Sequence, residues 1–78
     1  MDTIMKVPHI QVVMAFAAMC IETIARQNGW TYQDVYQRMK KVNLIEKFIV
    51  PHYEMLHTES RENVAIVVLD CLKAWERR

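Results

Sequence analysis

A ten-residue apolar run, Val12 to Ile21 (VVMAFAAMCI), lies inside a helical pattern that extends from about Pro8 to Asn28. At 100° per residue, Ile10, Val13, Met14, Ala17, Cys20, Ile21 and Ile24 fall on one face. Val12, Phe16 and Met19 widen that face until the apolar arc covers roughly 260°, against about 100° for a helix resting one stripe on a core. The run itself is too short to span a bilayer, which takes roughly 20 apolar residues. A helix of this kind belongs inside a bundle or an oligomer. It carries no side chain that does visible chemistry.

The rest of the chain supplies helices to surround it. One Gly and two Pro in 78 residues leave little material for hairpins. The expected fold is all-α, a compact bundle of four to five helices, with residues 1–7 as a short leader and 8–78 as one helical domain. Pro8 suits a first helical turn, where its missing N–H costs nothing. Gly29 supplies a left-handed residue to end the first helix. Thr31 with Asp34 has nearly the form of a capping box, and Trp30 with Val35 that of a hydrophobic staple, which predicts a second helix over Tyr32 to Lys41. Asn43 marks a turn. A third pattern, Ile45, Phe48, Ile49, His52, Tyr53 and Leu56, is interrupted by Pro51, so this helix is expected to kink or restart there. Ser60 is the natural N-cap of a last helix, with Val64, Val67, Val68, Cys71, Leu72 and Trp75 on its main face. Ile66 and Leu69 form a second stripe.

Charge argues against several functions. Net charge is +1, and the ten basic and nine acidic residues are spread evenly along the chain. A nucleic-acid binder usually shows a basic face, because neutralising phosphates supplies most of its affinity. Helix two, the Asn43 turn and helix three have the spacing of a helix-turn-helix, which keeps a DNA-binding regulator as the alternative reading. Its third helix, however, would offer Glu46, Lys47, Pro51 and Glu54 to the bases. Nucleic acid is therefore a poor partner, and a polybasic membrane anchor has no support.

Catalytic and metal chemistry find no constellation. His52 and His57 are five apart, about 140° round a helix, so they do not share a face. Cys20 and Cys71 lack paired spacing, and both fall on apolar helical faces where thiols are inert. His52 is expected between Phe48 and Leu56, as a buried neutral imidazole. His57 is expected near the last carbonyls of its helix. No enzyme activity, metal, cofactor or small-molecule substrate is expected. The N-terminus lacks the layout of a signal peptide, and two thiols without a disulfide framework suit a reducing cytoplasm.

What remains is surplus apolar surface. Val12, Phe16 and Met19 on the first helix, with Ile66 and Leu69 on the last, exceed what one small core needs, and six methionines add adaptable packing. These five residues are the candidate interface for a homodimer or another protein.

From Met19 onward the chain resembles a small bacterial domain family of unknown function. The residues that carry the likeness are Cys20-Ile21-Glu22, Asp34-Val35-Tyr36 and the signature Tyr53-Glu54-Met55-Leu56-His57-Thr58, across roughly Cys20 to Leu72. The resemblance singles out Tyr53, Leu56, His57 and Thr58. It implies a gene beside that of an ADP-ribosyltransferase-like protein, and hence an antitoxin-like partner. Pro51-His52 departs from the smoother helix the family pattern implies.

Overall fold

The computed structural model describes residues 9–78; the expected leader and Pro8 lie outside them. Helix α1 (His9–Asn28) is the long central element. It ends as its sequence requires: Gly29 sits at φ +69°, and the Trp30 N–H donates to the Ala25 carbonyl at 2.9 Å, closing the helix end. A Cβ at Gly29 would meet nothing within 4 Å, so Gly29→Ala costs backbone strain alone. A chemical melt should show it about 1 kcal/mol less stable.

Helix α2 (Tyr32–Lys41) starts at Thr31, whose hydroxyl accepts the Asp34 N–H at 3.1 Å. The chain then turns through Asn43 at φ +57°, a left-handed position that asparagine tolerates. A π-helical turn follows over Ile45–Ile49, with the Val50 N–H donating to the Ile45 carbonyl at 2.9 Å. Pro51 explains this local widening. It has no N–H to give the Lys47 carbonyl, and its ring would crowd that oxygen in a regular helix. The chain restarts as α3 (Tyr53–Leu56), which is the break expected at the proline. Helix α4 (Arg61–Glu76) begins at Ser60, whose Oγ accepts the Asn63 N–H at 3.2 Å.

These elements make an all-α fold of five helical segments, with no strand among the described residues. α1 packs most extensively on α4, then on α2, and touches the π turn. The core joins Ala17, Cys20, Ile21 and Ile24 of α1 to Val35 and Met39 of α2, Leu44 and Ile49 around the π turn, and Val64, Val68 and Leu72 of α4. By length and composition α1 could cross a membrane, with mean hydropathy 1.3 over 18 residues. In this fold seven of its residues are buried, so its apolar character is used by the core.

α1 keeps most of its expected core face, whereas α4 is rotated from its expected setting. Ile10 and Met14, expected on the core face of α1, are exposed. Val13 between them is buried, so the packing over this part of α1 lies to one side of Ile10 and Met14. On α4 the core stripe is Val64, Ala65, Val68, Leu69 and Leu72. Val67, expected inward, faces out, and alanine takes its place in the core.

Candidate interaction surface

The five residues expected to form an interface do not make one patch. Val12 is 38% exposed and Ile66 53% exposed. Phe16 and Met19 are half-buried against the core, and Leu69 belongs to the core at 8% exposure. The Phe16 ring meets the edge of Tyr53, with centroids 5.3 Å apart. Phe16 therefore ties α1 to α3, which sequence periodicity could not indicate because α3 is only four residues long. On α4 the exposed partner of Ile66 is Val67, at 45%. They share the outer side of the helix with Asn63 and Asp70, all four exposed. Met55 on α3 adds a separate exposed apolar side chain.

The segment from Tyr53 to Thr58 has a definite local structure. Leu56 is buried. Tyr53 and His57, one turn apart, stack with centroids 4.7 Å apart and planes 15° from parallel. The His9 ring meets Tyr53 in a T-shaped arrangement, with centroids 5.6 Å apart. His57 Nε2 lies 3.6 Å from Glu54 Oε1, and the Thr58 hydroxyl donates to the Met55 carbonyl at 2.8 Å. It is Thr58, and not the His57 ring, that satisfies a carbonyl at this helix end. These six residues thus shape and end α3 and dock it on α1.

His52 is exposed rather than buried between Phe48 and Leu56. The π turn adds a residue to the repeat and swings it by about 100°. Its Nδ1 lies 2.8 Å from the Phe48 carbonyl, and its ring leans on Phe48 at 4.9 Å. Among the described residues, no three His, Cys, Asp or Glu side chains gather as a metal site would require.

The two thiols differ in setting. Cys20 is fully buried, and desolvation pushes its pKa up to about 12. Cys71 is half-buried, and burial raises its thiol too, partly offset by Arg78. Neither is poised as a nucleophile at neutral pH. Iodoacetamide should modify Cys71 first, and Cys20 only at the rate of global unfolding. Equal labelling of both in the native protein would contradict this packing.

The basic cluster at the end of α2 is partly neutralised. Arg38 donates from Nε and Nη2 to the two Glu76 carboxylate oxygens, each at 2.7 Å, clamping α2 to the end of α4. Its guanidinium also lies 4.9 Å from the centre of the Trp30 ring. The hydrogen bonds from Arg38 hold the Glu76 carboxyl below the usual carboxylate range. A depressed folded pKa stabilises above the unfolded pKa and is lost as pH falls through the folded one. Glu76→Gln should cost at most about 1 kcal/mol at pH 7, and the difference from wild type should shrink as pH falls through the unfolded carboxylate value and then the depressed folded one. Urea melts across pH check both.

Beside these surfaces runs an open groove of about 340 Å³, lined by Met14, Tyr36, Met39, Lys40, Asn43, Ile45 and Glu46. With that geometry in view, residues 15–75 match a family described as a protein of unknown function (DUF3791). The chain belongs to that family. No curated protein and no solved structure matches it. The DUF3791 match takes in residues 53–58, Ile66 and Val67, while Ile10, Val12 and Met14 precede it.

Proposed function

We propose that this chain is a cytoplasmic protein–protein interaction module whose binding face lies on the outer side of α4. The observation that carries the reading is Ile66 and Val67, two adjacent β-branched side chains left roughly half exposed on a well-anchored helix. Burying such a pair against a partner recovers about 25 cal/mol per Å² of apolar surface removed from water. The resemblance gives the partner its most concrete form, the ADP-ribosyltransferase-like protein encoded beside the chain, with this chain as the neutralising, antitoxin-like subunit.

A DNA-binding role draws less support. The segment after Asn43 is a five-residue π turn and a four-residue helix, too short for a continuous recognition helix. Arg38, which would contact phosphate, is engaged with Glu76.

Co-expression tests the proposal. The wild-type chain should co-purify with the neighbouring protein and relieve its toxicity. The double variant I66D/V67D should lose both while remaining folded. Undiminished binding and protection by that variant would sink the reading.

A further inference from the structure

The side of α2 turned away from its buried Val35 and Met39 forms one wall of a second depression. This is an open cleft of about 380 Å³ lined by Trp30, Asp34, Gln37, Arg38 and Lys41. Its last four residues follow a single strip of the helix. Trp30 comes from the turn before α2, 37% exposed, and Arg38 is half-buried. These two are set in place without a ligand. The guanidinium lies over the indole ring, 4.9 Å from its centre, and its edge is held by two hydrogen bonds of 2.7 Å to Glu76 at the end of α4. The cleft therefore has a flat surface of ring and guanidinium that is already oriented. Its two ends differ in sign. Asp34 stands in the first turn of α2 and Lys41 in the last, about 10 Å apart at 1.5 Å rise per residue. Gln37, between them, offers both a donor and an acceptor.

We infer that this cleft binds a free guanine mononucleotide. The base lies flat on the Trp30–Arg38 surface, as bases do on aromatic rings and guanidinium planes. A carboxylate only accepts hydrogen bonds, so Asp34 selects a base edge that donates. Guanine supplies such an edge, its ring N–H and amino group side by side, to match the two carboxylate oxygens. Adenine has no ring N–H there and leaves one oxygen unmatched. The phosphate reaches the opposite end of the strip, where Lys41 meets it as a point charge. Arg38 stays with Glu76 and serves as stacking surface. The ligand is fixed by the cleft's polarity: an acidic peptide would meet Asp34 with like charge, and inorganic phosphate would leave Asp34 and the flat surface without a partner. The volume suits a small molecule, at the low end of the roughly 300–1,000 Å³ such sites occupy. The cleft leaves Ile66 and Val67 uncovered, so it stands or falls separately from the proposed α4 surface.

An amide-resolved NMR titration of the full chain, to about 5 mM ligand, tests the site. Guanosine monophosphate should shift the Trp30 indole N–H and the Lys41 amide along one saturable curve. Adenosine monophosphate and inorganic phosphate should bind at least tenfold more weakly. Asp34→Asn, whose amide both donates and accepts, should narrow the preference for guanine over adenine. Lys41→Gln should weaken guanosine monophosphate several-fold while leaving unphosphorylated guanosine unchanged, and I66D/V67D should bind as wild type does. Circular dichroism checks that each variant keeps its helix content. No saturable shift over the range, equal affinity for the nucleotide and inorganic phosphate, or nucleotide binding indifferent to both Asp34→Asn and Lys41→Gln would overturn the proposal.

Discussion

Ile24→Ala should lower the unfolding free energy by about 2–5 kcal/mol, against roughly 4–12 kcal/mol for a chain of this size. Ile24 is 0% exposed and belongs to the cluster where α1 meets α2, the π turn and α4. Removing three heavy-atom groups there forfeits their transfer free energy and leaves a void. Rigid elements approach from several sides, so no single helix can slide to fill it. Ala17 and Ala25 are already small, and they lend no flexible side chain to the gap. Ile10→Ala removes the same atoms from the same helix at an exposed position and should stay within about 0.5 kcal/mol of wild type. Urea melts followed by circular dichroism measure both. Equal costs for the two variants would mean that Ile10 is covered in solution.

The local signals that the structure realises are those with a strict backbone requirement. Gly29 and Asn43 take left-handed conformations, Thr31 and Ser60 accept the third amide of their helices, and Pro51 breaks the helix it interrupts. Each is decided by a few neighbouring atoms, so the sequence alone is enough. The facing of the helices is decided elsewhere. α1 is apolar over so wide an arc that periodicity cannot choose which part of it faces α4. Ile10 and Met14 share the core side with Ile21 and Ile24 by periodicity, yet are exposed, while Val13 between them is buried. Phe16 illustrates the converse, since it is sheltered by Tyr53, which the π turn delivers from more than thirty residues away. The candidate surface was legible to the same degree. Val12 and Ile66 are exposed, whereas Leu69 is taken by the core.

The sharpest consequence of the rotation of α4 is a contrast between adjacent residues. Val68→Asp should unfold the protein, whereas Val67→Asp should change its stability by less than about 0.5 kcal/mol. Val64, Val67, Val68 and Leu72 all suit an inward stripe by periodicity, and a helix centred on them would bury both valines. The observed core instead pairs Val64 with Ala65 and Val68 with Leu69, turning Val67 out to 45% exposure. Ala65 is fully buried in the core cluster on the helix that makes the largest contact with α1. An aspartate at 68 would sit at a fully buried position among Cys20, Ile21 and Leu72, with no described cation in that cluster to pair with it. Its desolvation would exceed the several kcal/mol of total stability, or it would remain protonated and still lack a hydrogen-bond partner. At 67 the same carboxylate stays in water, one turn from the exposed Asn63 and Asp70. One-dimensional proton spectra and thermal melts at neutral pH distinguish the outcomes. Loss of dispersed methyl signals in V67D, with V68D still folded, would place the core on the other side of α4 and remove Ile66 and Val67 from the proposed binding face.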